Sequence, residues 1–148
     1  MSRKQDGVTA NQRILVIDDS PLVVEAISDG LGEYGVEVEG LSDPTELEQM
    51  QGLEQFNLIL IDVQMPAMFG DDVALVIKGR HEREEILGKK NSNKAPIVLL
   101  SSLPELELAQ RAQEAGADGY ISKRRGFDGI IEDIRGWLDG SKRRQPES

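Results

Sequence analysis

Three apolar runs along this chain stop abruptly at a polar residue: Ile14–Ile17 at Asp18 and Asp19, Leu58–Ile61 at Asp62, and Ile97–Leu100 at Ser101 and Ser102. Runs this short, set between stretches of helical period, read as strands buried on both faces of a parallel sheet. Leu58–Asp62 is the most apolar and is expected at the centre, whereas the alternating segment Val36–Gly40 reads as a strand at or near an edge. Gly119–Ser122 reads as a short fifth strand. Helices fall between them. Ser20 and Pro21 supply an N-cap and a first-turn proline, with Leu22, Val23, Ala26, Ile27 and Leu31 toward the sheet and Gly35 as the stop. Asp43-Pro44 repeats the opening signal for a short helix to Met50. Asp71 or Asp72 opens a third helix, with Val73, Val76, Ile77 and Ile86 inward. Glu105–Ala115, closed by Gly116, and Phe127–Leu138 complete the series. Five strand–helix units in succession predict an α/β fold: a doubly wound five-stranded parallel sheet with helices on both faces.

Composition acts mainly by exclusion. With 148 residues, 39% of them hydrophobic, the chain has room for one core, predicted over 13–138, between flexible tails at 1–12 and 139–148. A net charge of −10 argues against nucleic acid as a direct partner, since phosphate contacts need a basic surface. The absence of cysteine excludes disulfides and thiolate metal sites. The apolar runs are far shorter than the roughly 20 residues of a membrane helix, and the polar first dozen lack the core of a secretory signal. No membrane partner and a cytoplasmic location are the expectations.

In an open α/β sheet, ligands bind in the crevice beyond the strands' carboxyl ends. Asp18, Asp19, Asp62, Ser101 and Lys123 all stand at such ends. Three carboxylates in one crevice repel each other unless a cation lies among them, and magnesium takes carboxylate and carbonyl oxygens while also bridging to phosphate. A carboxylate can attack phosphorus to give an aspartyl phosphate. Ser101 then offers a hydroxyl, and Lys123 a compact ammonium, to the phosphoryl oxygens.

Four segments together carry a resemblance: Leu15-Val16-Ile17-Asp18-Asp19-Ser20, Asp62-Val63-Gln64-Met65-Pro66 ending in Gly70, Ser101-Ser102, and Ala115-Gly116-Ala117-Asp118-Gly119-Tyr120-Ile121-Ser122-Lys123. In this order and at these intervals they resemble the receiver domain of bacterial two-component response regulators, over roughly Arg13 to Leu138. The resemblance implies a flavodoxin-like (βα)5 fold and a phosphorelay signalling module rather than an enzyme with an external substrate. It implies phosphorylation on Asp62 and magnesium held by Asp18, Asp19, Asp62 and the backbone carbonyl of Gln64. It also implies phosphoryl contacts from Ser101 and Lys123, and a switch formed by Ser101 and Tyr120. The implied partners are a sensor histidine kinase or phosphotransfer protein, and a downstream protein met on the 105–138 face. With no output domain after Leu138, a stand-alone, single-domain receiver acting through protein contacts is expected.

The chain departs from the family pattern in several places. Arg124 replaces the proline that usually follows the lysine, so the adjoining loop is expected to be shaped differently. The interval from Asp62 to Ser101 is long, with the excess in 78–95, away from the site. Ser102 is polar where a small apolar residue is common. Gln64 and Leu103 occupy places that govern access of the hydrolytic water, and a bulky Leu103 is expected to slow loss of the phosphoryl group. The competing reading is a receiver-like scaffold that binds partners without being phosphorylated; the missing proline supports it, whereas the repulsion within an unused acid cluster weighs against it. An aspartate-nucleophile phosphatase is disfavoured because Gln64 stands where its second acid belongs. A nucleotide-binding protein is disfavoured because Asp18-Asp19-Ser20-Pro21 is no glycine-rich phosphate loop. His81 on a charged helix face, the basic run Lys142-Arg143-Arg144, and the loop residues Met65 and Met68 read as ordinary surface or packing residues, and Trp137 as a packing residue of the last helix.

Overall fold

The computed structural model describes residues 12–42, 46, 55–63, 74–75, 77–79, 82 and 95–141. Five strands, β1 (Arg13–Ile17), β2 (Glu37–Leu41), β3 (Leu58–Asp62), β4 (Ile97–Ser101) and β5 (Gly119–Ser122), pair in parallel in the order β2-β1-β3-β4-β5. The first, third and fourth strands are the three apolar runs. β3 and β4 are buried along their whole length, because a parallel sheet is covered on both sides. β2 lies at the edge, one residue later than the sequence pattern places it, in register with β1 from Arg13↔Glu37 to Ile17↔Leu41. Arg13 reaches both Glu37 (3.3 Å) and Glu39 (3.2 Å) across that pair.

Strand side chains alternate faces, and this splits the core into two layers. Leu15, Ile17, Ile59, Ile61, Ile97 and Leu99 face one side, where they meet Ala74, Ile77 and helix α2 (Glu105–Ala115). Ile14, Val16, Leu58, Leu60, Val98 and Leu100 face the other, under α1 (Pro21–Gly32) and α3 (Gly126–Leu138). Burying a single Leu or Ile side chain fully contributes about 1.5–3 kcal/mol, so these layers fix the register of the whole sheet. Trp137 packs into the second layer, as expected.

Ser20 caps α1, its hydroxyl accepting the Val23 N–H (3.4 Å), with Pro21 opening the first turn. One predicted core residue is corrected: Leu22 is 75% exposed. At 100° per residue it lies about 140° around the helix from Ile27, whereas Val23, Ile27 and Leu31 follow one another at four-residue spacing. Helix α1 also ends at Gly32, and Gly35 (φ +77°) completes the turn beyond it by donating its N–H to the Gly32 carbonyl. Gly40 permits a close approach: a Cβ there would stand 2.6 Å from Val24 Cγ1. Helix α2 has the predicted bounds, and Gly116 (φ +78°) closes it in the left-handed conformation that glycine adopts without strain.

Residues 74–75, 77–79 and 82 are helical, and Ile77 is buried as expected. Of the helix expected over Asp43–Met50, only Glu46 is described, in a 3-10 conformation; the caps Asp71 and Asp72 lie outside the described residues, as do Val73, Val76 and Ile86. So do most of the long 78–95 interval, His81, Met65, Met68, the basic run 142–144 and most of both tails. No helix among the described residues is long and apolar enough to cross a membrane.

Candidate functional site

Parallel register delivers the chemistry to one edge. Ile17 pairs with Ile61, so Asp18, just past β1, stands beside Asp62, the last residue of β3. Asp62 pairs with Leu100 and Ser101 with Ser122, so Ser101 and Lys123 follow one position further along. Each of Asp18, Asp19 and Asp62 has a carboxylate oxygen within 4.8 Å of the others. Asp18 and Asp62 are buried, and Asp19 is exposed at the mouth.

The buried acids are not left uncompensated. Lys123 Nζ lies 3.2 Å from Asp18 Oδ2 and 3.7 Å from Asp62 Oδ2, with only 23% of its side chain exposed. The other Asp18 oxygen accepts the Ser20 N–H at 2.9 Å. One ammonium thus bridges the ends of β1 and β3 from a position 105 residues beyond Asp18. Among the described residues this is one ammonium against three carboxylates, an excess of negative charge held on hard oxygen donors. That donor set fits a magnesium ion. The remaining predicted ligand, the Gln64 carbonyl, lies outside the described residues.

Ser101 is fully buried, and its hydroxyl accepts the Leu103 N–H at 3.1 Å. Leu103 is half-buried and packs on the core layer under α2. Tyr120 lies on that same side of the sheet, half-buried, with its hydroxyl donating to Glu105 Oε2 at 3.4 Å. Burial, and after it the Glu105 carboxylate, hold its phenol above the ordinary value.

The chain matches the response regulator receiver domain over residues 14–135. It belongs to that family. The PdtaR transcriptional regulatory protein of Mycobacterium tuberculosis is 31% identical over 124 residues, covering 83% of this chain and 55% of that protein. A protein-glutamate methylesterase/protein-glutamine glutaminase of Anaeromyxobacter dehalogenans is 36% identical over 124 residues, covering 82% of this chain and 32% of that one. The receiver therefore spans from about half to a third of these two curated relatives. Among solved structures, the chemotaxis response regulator CheY4 of Vibrio cholerae superposes with a TM-score of 0.70 at 25% identity, covering 88% of this chain and all of that one. TrrA of Thermotoga maritima, solved in complex with Mg2+–BeF, gives 0.64 at 26% identity, with 86% and 99% covered. Receivers are signalling modules of two-component systems, and the flavodoxin-like fold expected from the sequence is the one observed.

Two contacts of this receiver went unread in the sequence. The Ser122 hydroxyl accepts the Arg124 N–H (3.1 Å) and starts a 3-10 turn over Lys123–Arg125. The Arg124 side chain then donates from Nε to the Ser102 carbonyl at 2.8 Å. Serine ahead of a turn is a legible signal for the first contact. The second links two loops 22 residues apart, and no residue pattern announces it.

Proposed function

We propose that this receiver accepts a phosphoryl group on Asp62 and passes the signal on through protein contacts. The observation that carries the reading is the gathering of Asp18, Asp19 and Asp62 around one point, with the Lys123 ammonium on two of them. An Asp62 oxygen attacks phosphorus. The donor's P–N bond (phosphohistidine) or P–O bond (acetyl phosphate) breaks, and its electron pair leaves with the imidazole nitrogen or the acetate oxygen. Asp18, Asp19, Asp62 and the Gln64 carbonyl would hold magnesium, which neutralises charge on the transferring group. In this reading Lys123 shifts from the carboxylates onto a phosphoryl oxygen, and the Ser101 hydroxyl donates to another. Water attacking phosphorus later breaks the bond to Asp62, releasing phosphate and restoring the carboxylate.

The proposed phosphodonor is a sensor histidine kinase or phosphotransfer protein. The proposed output surface is the 105–138 face, made of α2, β5 and α3, with Ser101 and Tyr120 as the switch that alters it. Incubation with magnesium and acetyl phosphate, followed by intact mass measurement, tests the core claim. One phosphoryl adduct is expected, absent in Asp62→Asn. An unmodified wild-type chain, or an adduct that survives the substitution, refutes it.

A further inference from the structure

Arg124 occupies the position after the pocket lysine and is held at two points. Its N–H is fixed by the Ser122 hydroxyl (3.1 Å), and its Nε donates to the Ser102 carbonyl (2.8 Å). Ser102 is the first residue past β4 and adjoins Ser101, whose hydroxyl accepts the Leu103 N–H within the same short loop. The segment that carries the switch hydroxyl is therefore tied down twice: once to itself, and once to the loop after Lys123. The Ser101 hydroxyl accepts the Leu103 N–H and keeps its own proton to donate, so any shift of that hydroxyl toward a phosphoryl oxygen on Asp62 draws on the 101–103 backbone that these two contacts hold.

We propose that Arg124 is a positioning residue that latches the loop after β4 in the arrangement these contacts hold, so that it sets how strongly the pocket favours a bound phosphoryl group. The inference rests on the reading of Asp62 as the acceptor. A proline at this position would have neither the side-chain donor nor the backbone N–H; the backbone contact is open to any other residue, and the side-chain contact to the Ser102 carbonyl belongs to this chain's arginine. A hydrogen bond of this kind shifts an equilibrium by about twofold to tenfold.

The test is a calorimetric titration with fluoroberyllate in saturating magnesium, which mimics the phosphoryl group on the acid. Arg124→Ala is expected to bind fluoroberyllate about twofold to tenfold more tightly than the wild-type chain. Simple loss of a positive charge near an anionic ligand predicts the opposite sign, so tighter binding cannot come from charge alone. The magnesium affinity measured without fluoroberyllate should not change, because Asp18, Asp19 and Asp62 stand on other strands. In a Ser101→Ala background the Arg124 effect should disappear, since the latch acts through that hydroxyl's loop. Equal or weaker fluoroberyllate binding by Arg124→Ala, or an undiminished effect in the Ser101→Ala background, overturns the latch while leaving the acceptor reading intact. No binding by the wild-type chain removes the acceptor reading itself and the latch with it.

Discussion

Replacing Lys123 with methionine keeps much of the side-chain volume and removes the ammonium that, among the described residues, bridges the buried acids. The structure bounds the effect. At an effective dielectric constant near 20, unit charges 3.2 Å and 3.7 Å apart attract by about 5 and about 4 kcal/mol, respectively. Much of this is offset by the desolvation of the lysine, and its 23% exposure reduces it further. Removing one partner of a buried pair leaves an uncompensated charge and costs about 3–5 kcal/mol; the partial exposure places Lys123 at the lower end, about 3 kcal/mol. For a chain of this size that lowers Tm by roughly 6–12 °C in magnesium-free buffer at neutral pH. Magnesium should reverse most of the loss. A cation on the same oxygens at about a hundred times its Kd adds about 2.7 kcal/mol, and it no longer has an ammonium to compete with. Differential scanning calorimetry of the wild-type chain and Lys123→Met, each with and without magnesium, reads both effects. A variant that melts with the wild type in chelator, or that gains no more from magnesium than the wild type does, would refute the view that one cation holds these acids together.

Two further predictions concern the switch and the lifetime of the modified state. The Tyr120 phenol is held above its ordinary value by burial and then by Glu105. The folded chain therefore keeps the proton longer than the unfolded chain, and this contribution is fully present below about pH 10 and lost as pH rises through the folded value. In a Tyr34→Phe background, ultraviolet titration of Tyr120 should have its midpoint above 10, and Glu105→Gln should lower it; an unmoved midpoint would show that the hydroxyl does not lie against Glu105. Leu103 presents a bulky apolar side chain beside Ser101, packed on the core, so Leu103→Asn should shorten the half-life of the acetyl phosphate-labelled chain severalfold, followed by phosphate release; an equal or longer half-life would remove Leu103 from the control of water access.

The site was legible because its chemistry is tied to residue type at strand ends. An apolar run that halts at Asp or Ser marks both the strand and the group it delivers, and parallel register does the rest. Ile17↔Ile61 and Ser101↔Ser122 are pairings between runs already visible in the sequence. Errors fell where packing from elsewhere decides. Leu22 is apolar and within helical reach of the stripe, yet it sits in the first turn on the flank that the sheet does not cover. The edge strand β2 slid by one residue because its position is set by the pairing of Arg13 with Glu37, and only Leu41 in it is buried. The Arg124 contact was illegible for a different reason: a side chain meeting a backbone carbonyl leaves no mark on the residue it meets.

That contrast separates the two halves of the receiver's work. Asp18 and Asp62 stand on or beside the central strands, whose neighbours are buried on both faces, so the acid pocket can move only if the sheet does. Ser102, Leu103, Arg124 and the ring of Tyr120 stand on edges and loops. The hydrogen bonds described for them contribute about 0.5–1.5 kcal/mol each, small beside the burial that fixes the central strands. A rigid pocket with more weakly tied surroundings suits the proposed function: a phosphoryl group on Asp62 would sit where the fold cannot yield, and the response would appear where it can.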